Sequence, residues 1–185
     1  MKLIDRALRR WRINEALKVA PKEINRVFDI GCDDGYLLNR VDDGRILLDG
    51  CDPRLAKASI SPKSQLLNGF FPSVLKHNEH RGPYNVIFAL AVFEHFTEED
   101  LIESSHRIAQ MLTDDGRLIV TVPHPFVDKI LDILLFLKLI DGQALEEHHG
   151  FDPESLVKIL SQHLHLVSRD TFQLGLNNIF VFSRK

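Results

Sequence analysis

Cysteine is scarce in this sequence. Cys32 and Cys51 are the two in a chain of 185 residues. Two thiols make no disulfide framework, so a packed core must hold the fold, and a reducing, cytoplasmic setting is expected. An excess of positive charge is also missing. Lys and Arg number 23 against 26 Asp and Glu, for a net charge of −3 and a pI near 6.3. Nucleic acid is therefore an unlikely partner by charge, because its binders carry a basic stripe. Long apolar runs are absent too. The densest, "FVDKILDILLFLKLI" (126–140), has eleven apolar residues of fifteen, short of the roughly 20 that cross a bilayer. The arginine-rich N-terminus has no apolar stretch of the secretory kind, so it does not read as a signal peptide. Repeats and low-complexity linkers are lacking as well.

What is there is the balance of an ordinary soluble globule, 44% apolar and 26% charged. The length suits one domain, 1–185, which would bury roughly 70% of the surface of its unfolded chain. Residues 1–20 predict an amphipathic helix ending before Pro21, with Leu3, Ile4, Leu8, Trp11 and Leu17 on its apolar side. Short apolar runs then alternate with helical stretches. Strands are expected at 26–31, 45–52, 64–71, within 84–96, and at 117–123. Helices are expected from 36 and over 98–112, the second presenting Leu101, Ser105, Ile108 and Leu112 and stopped by Asp114, Asp115 and Gly116. A helix or turn is expected around Arg54–Ser59, and Asp152 and Pro153 mark the start of another helix. Such alternation predicts a parallel sheet covered by helices. The end differs: two strands joined through Gly175, Leu176 and Asn177 predict a hairpin and an antiparallel edge.

The stretch "VFDIGCDDG" (27–35) runs β-formers into a carboxylate and a glycine turn. In an open α/β sheet, ligands bind beyond the carboxyl ends of the strands. A glycine turn there lets a ligand approach the backbone beside a helix N-terminus. The dinucleotide fingerprint wants glycine at Gly31, Asp33 and Tyr36 and fails at two of these three. The second strand ends in "LLDGCDPR", which places Asp52 21 residues after Gly31. An ionised carboxylate at that strand end is acceptor-only.

Asp29, Gly31, Asp33 and Gly35 on the first loop, with Asp52 on the second, resemble the class I S-adenosylmethionine-dependent methyltransferases. "QLLNGFFPSVL", "YNVIFALAVFEHF" and "LTDDGRLIVTVPHP" are similar to that family's third, fourth and fifth strand motifs, so the resemblance covers roughly residues 20–185. It implies a three-layer α/β sandwich around a doubly wound, mostly parallel seven-stranded sheet with an antiparallel C-terminal strand. It implies S-adenosylmethionine as cofactor and S-adenosylhomocysteine as product. By resemblance, Asp29 orders the loop, while Gly31, Cys32 and Gly35 line the methionine end. Asp52 takes the ribose and Pro53 lies near the adenine. Gly69 and Phe70 meet the adenine edge, and Leu90 and Ala91 cover the cofactor or belong to the core. Asp33 departs from the glycine often found at its position. It either meets the cofactor's amino group or is a tolerated intrusion; aspartate accepts turn geometry better than most residues.

Methyl transfer from a sulfonium needs position and a dry site, and a base only where the nucleophile must lose a proton. The fourth strand ends in "FALAVFEHF" and not in the Asp/Asn-Pro-Pro-aromatic tetrapeptide of base-nitrogen methylases, which argues against DNA as acceptor. His95, in a Glu-His pair that family members share, and His124, after the fifth strand, are the candidate catalytic residues; a helix-capping role is the alternative for His95. The adjacent histidines in "EEHHG" (146–150) lack the spacing of a metal site, and no metal is expected. Cys32 and Cys51 end neighbouring strands and are expected to be inert and buried. Segment 126–150 is read as a lid-like insertion. Its apolar part is a packing helix, a lid over an apolar acceptor, a homodimer face or a membrane-surface contact. The reading is a methyltransferase of an unidentified small molecule. The alternative is a methyltransferase-like binding or scaffold protein without catalysis.

Overall fold

Strand β1 (Arg26–Ile30) lies inside a seven-stranded sheet, with β2 (Leu47–Asp52) on one side and β4 (Tyr84–Leu90) on the other. The computed structural model describes residues 3–56, 59–76, 81–124 and 151–185. The apolar segment 126–140 and the histidines of 146–150 lie outside the described residues. Beyond β2 comes β3 (Ser64–Asn68), and beyond β4 come β5 (Leu112–Pro123), β7 (Asn177–Arg184) and β6 (Leu164–Phe172), giving the order β3-β2-β1-β4-β5-β7-β6. β1 to β5 pair in parallel, while β7 runs antiparallel to both β5 and β6. This is the expected mostly parallel sheet with an antiparallel C-terminal edge. Among the described residues no helix is long and apolar enough to cross a membrane.

Period-two alternation builds the two cores. Phe28, Ile87, Val120 and Phe180 face one side, under α3 (Glu98–Met111) and α4 (Pro153–Leu160). Val27, Val86, Phe88, Ile119 and Val181 face the other, under α1 (Leu3–Val19) and α2 (Tyr36–Val41). Both faces are covered, so the central strands are mostly apolar, with the buried Asp29 of β1 an exception. Thr97 caps α3 by accepting from the Asp100 N–H, and Asp152 caps α4 by accepting from the N–H groups of Glu154 and Ser155, as the sequence predicts for Asp152.

Three local expectations change. α1 buries Ile13 and Ala16, whereas Leu8 and Trp11 are 43% and 42% exposed. The helix is turned so that Arg9 and Arg12 face inward, toward the carboxylates at the end of β1. β3 stops at Asn68 because Gly69, at φ 154°, turns its N–H back to the Asp52 carbonyl, and Phe70 swings into solvent. α3 ends at Met111, before the acidic residues expected to stop it. Leu112 already pairs with Tyr84, and the register then breaks, so Thr113–Gly116 bulge out within β5 before Arg117 pairs with Val86.

Candidate active site

The first loop leaves β1 at Ile30 and is fastened at once. The N–H groups of Gly31 and Cys32 both donate to the Cys51 carbonyl, at 2.8 and 3.1 Å. Gly31 has φ 74°, and a Cβ there would stand 2.8 Å from Val92 Cγ2. Glycine is required both for the turn and for the close approach of the loop after β4. Asp33 takes φ 48°, a left-handed conformation that aspartate tolerates. Its N–H donates to Asp52 Oδ2 at 3.1 Å. Gly35, at φ 76°, closes the turn through its N–H to the Cys32 carbonyl and opens α2.

The loop walls a cavity of about 340 Å³ at the carboxyl ends of β1 and β4. Pockets for small molecules run from roughly 300 to 1,000 Å³. Six residues singled out in the sequence line it: Asp29, Gly31, Cys32, Asp33, Leu90 and Ala91. Ala91 sits at φ 56°, and its N–H is held by the Thr121 carbonyl at 2.8 Å, so the strained turn after β4 is fixed by β5. Asp29 is buried, and loss of hydration pushes its carboxyl up to about 8, against the pull of Arg9. Burial also raises the thiols of Cys32 and Cys51; both are free.

The remaining candidates stand around this cavity without lining it. Asp52, at the end of β2, is buried, and its two oxygens accept from the N–H groups of Asp33 and Arg54. Pro53 is exposed on the turn that follows, and Phe70 is 70% exposed beyond Gly69. His95 is exposed at the end of the short 3-10 turn Phe93–His95. The His124 N–H donates to the Leu176 carbonyl, which anchors the end of β5 to the β6–β7 turn.

The fourth wall comes from α1, and no site was assigned to it in the sequence. Leu8, Arg9, Arg12 and Ile13 line the cavity. Arg9 bridges to Asp34 through both terminal nitrogens and stands 3.5 Å from Asp33, with its guanidinium 5.0 Å from the centre of the Tyr36 ring. That hydrogen bond holds the Asp34 carboxyl below its usual range. The β6–β7 turn fastens α1 from the other side, where Gln173 Nε2 donates to the Leu8 carbonyl at 3.0 Å. Deeper in, Arg12 and Glu94 feel each other's charge. Burial lowers the Arg12 guanidinium and pushes the Glu94 carboxyl up to about 7. The signal was readable in part: Arg9 and Arg12 share a helix face with Ile13 and Ala16, at spacings of three and four.

A glycine loop, a strand-end carboxylate and a cavity thus meet on one edge of a Rossmann-like sheet. The profile of a family described as a methyltransferase domain matches residues 2–177. The chain belongs to this methyltransferase family. Solved structures agree on the fold. The N-methyltransferase NodS from Bradyrhizobium japonicum WM9 is similar over 98% of this chain and 99% of that one, at 12% identity and a TM-score of 0.67. The cyclopropane synthase MmaA2 from Mycobacterium tuberculosis is similar over 94% and 83%, at 15% identity and 0.69. Magnesium protoporphyrin IX methyltransferase (ChlM) from Synechocystis PCC 6803, with bound SAH, is similar over 100% and 89%, at 14% identity and 0.65. A search of curated proteins found no match. In this methyltransferase-family chain the motif residues on the loop after β1 and on the turn after β4 come together, while the two candidate histidines stand apart from the cavity.

Proposed function

We propose that this chain transfers a methyl group from S-adenosylmethionine to a small-molecule acceptor in a reducing, cytoplasmic setting. One observation carries the reading: six residues of the family-like motifs, distant in sequence, wall a single cavity beside the Asp52 carboxylate. The structure of NodS in complex with S-adenosyl-l-homocysteine, similar over 95% of this chain with a TM-score of 0.67, supports the choice of cofactor. The free, buried Cys32 and Cys51 support the compartment.

The residues present fit that cofactor. The cavity wall carries the guanidinium groups of Arg9 and Arg54, which suit the carboxylate of the cofactor's methionine end, beside the acidic side chain of Asp29. Asp52 spends one hydrogen bond per oxygen on the loops and keeps further lone pairs for two ribose hydroxyls. Pro53 and Phe70 present apolar surface beyond it for the adenine, with Gly69 at its edge. Leu90 and Ala91 cover the site and exclude water. When bound, the cofactor supplies an already activated methyl group. The chain's own task is to hold it, to orient the acceptor and to keep the site dry. His95 and His124 lie on the same edge of the sheet and serve the acceptor's approach.

Calorimetric titration with S-adenosylmethionine, S-adenosylhomocysteine and NAD tests the reading. Micromolar binding of the two sulfur compounds and none of NAD is expected. Binding of neither sulfur compound would overturn it.

A further inference from the structure

Arg12 and Glu94 form an incomplete pair. Arg12 lies on the inward face of α1 and lines the cavity; among the described residues it makes no hydrogen bond, and its Nε is buried and without a partner. Glu94 lies four and three residues beyond Leu90 and Ala91, which also line the cavity, and its Oε2 is likewise buried and without a partner. Each senses the other's charge, yet no nitrogen of Arg12 reaches ion-pairing distance of the carboxylate. An unmet buried donor or acceptor costs about 1–3 kcal/mol, more when charged. Two of them within reach of each other's charge, beside the cavity, point to a group that satisfies both.

The chemistry of that group is narrow. A carboxylate would accept from Arg12 but be repelled by Glu94. An ammonium would donate to Glu94 but be repelled by Arg12. A hydroxyl accepts from one and donates to the other. We infer that Arg12 and Glu94 form the acceptor subsite of this methyltransferase, and that the acceptor is an acidic hydroxyl, a phenol or an enol. This inference rests on the proposed methyl transfer. The hydroxyl proton passes to Glu94 Oε2. The oxygen's electron pair forms the new O–C bond as the C–S bond of the sulfonium breaks, and that bond's pair stays on sulfur. A methyl ether, a thioether and protonated Glu94 result. Arg12, which stays charged even when buried, holds the oxyanion as the proton leaves. The position of the Glu94 carboxyl, near 7, matches the work of a base at neutral pH.

The probe is 4-nitrophenol, whose ionised form absorbs in the visible, titrated into the full chain with S-adenosylhomocysteine present. The pH is set so that the free phenol is mostly neutral. The expected result is growth of the phenolate band on binding, and about tenfold weaker binding of nitrobenzene, which lacks the hydroxyl. Arg12→Met should abolish the band and Arg12→Lys restore part of it. Glu94→Gln should shrink the band, because the proton loses its acceptor, and slow single-turnover methylation of 4-nitrophenol about a hundredfold at that pH. Normal binding of S-adenosylhomocysteine without any phenolate band would overturn the hydroxyl subsite and leave the methyltransferase reading standing. Failure of S-adenosylhomocysteine to bind would sink that reading instead. Equal losses of S-adenosylhomocysteine and nitrophenol affinity in Arg12→Met would assign Arg12 to the cofactor and overturn the inference. If Arg12→Met does not fold, the nitrobenzene comparison and Arg12→Lys decide: equal affinities and no band in the lysine variant reject it.

Discussion

The N–H of Asp33 donates to Asp52 Oδ2 at 3.1 Å, so the loop after β1 is fastened to the carboxylate that ends β2. The other oxygen, Oδ1, accepts from the Arg54 N–H at 2.8 Å. One buried side chain thus orders two loops. From sequence alone Asp52 serves only the ligand; the structure adds a share in the fold.

Replacing Asp52 by Ala should therefore do two things. Cofactor affinity should fall by about 2–4 kcal/mol, the worth of two charge-assisted hydrogen bonds. Stability should fall as well, by about 1–3 kcal/mol, because two loop N–H groups lose their acceptor. Calorimetry with S-adenosylhomocysteine and a thermal melt check the two parts separately. An unchanged affinity would remove Asp52 from the site.

Asp33→Gly should strengthen binding of S-adenosylhomocysteine by severalfold. The substitution relieves a left-handed non-glycine residue, a conformation that costs most L-residues about 1–2 kcal/mol. It also removes a carboxylate from the cavity wall, and with it repulsion of the cofactor's own carboxylate. Clearly weaker binding in a titration would mean that Asp33 pairs with the amino group.

Asp29 predicts a pH dependence. Its carboxyl is pushed up to about 8 by burial, above its usual 3.8, so the folded chain binds more protons than the unfolded chain between those values. The stability tied to this proton is complete below pH about 4 and is lost as the pH rises through about 8. Asp29→Asn cannot lose it. The melting temperature of the variant, relative to the parent, should climb across that window, and parallel curves would contradict the assignment.

Arg9→Ala should loosen α1 more than it lowers global stability. The Arg9–Asp34 bridge joins a half-buried guanidinium to a carboxylate that is 63% exposed, so its contribution is held to about 1 kcal/mol by solvent. Hydrogen exchange should quicken along α1 and in the loop at 33–36. The effect should shrink in high salt, where the parent's own bridge is screened.

Tyr84→Phe should cost stability without touching the site. The Tyr84 hydroxyl donates to buried Asp49 Oδ2 at 2.8 Å, beside Arg81, and Tyr84 begins β4, at the opposite end from the cavity. Losing a hydrogen bond to a buried charge should cost about 1.5–3 kcal/mol. Binding of S-adenosylhomocysteine should be unchanged by calorimetry.

The sequence by itself determined the elements and the chemistry of the first loop. Alternation of apolar residues at period two fixes strands, and Asp152 before Pro153 fixes a helix start, because both depend on neighbours along the chain. "DIGCDDG" specifies its own turn, since Gly31, Asp33 and Gly35 all take positive φ. Only the tertiary structure decided what depends on packing between elements. α1 buries Ile13 and Ala16, and so turns Arg9 and Arg12 toward the acidic end of β1 and leaves Trp11 exposed, because its packing on the sheet selects which apolar residues are covered. Glu94 is half-buried, with its Oε2 shielded from solvent, whereas its neighbour His95 is exposed, a difference that only the packing of the short turn after β4 sets. Asp52 acquires its second role only where two loops converge on one carboxylate. Adjacency in sequence carries no information about that convergence; the closing of the sheet does.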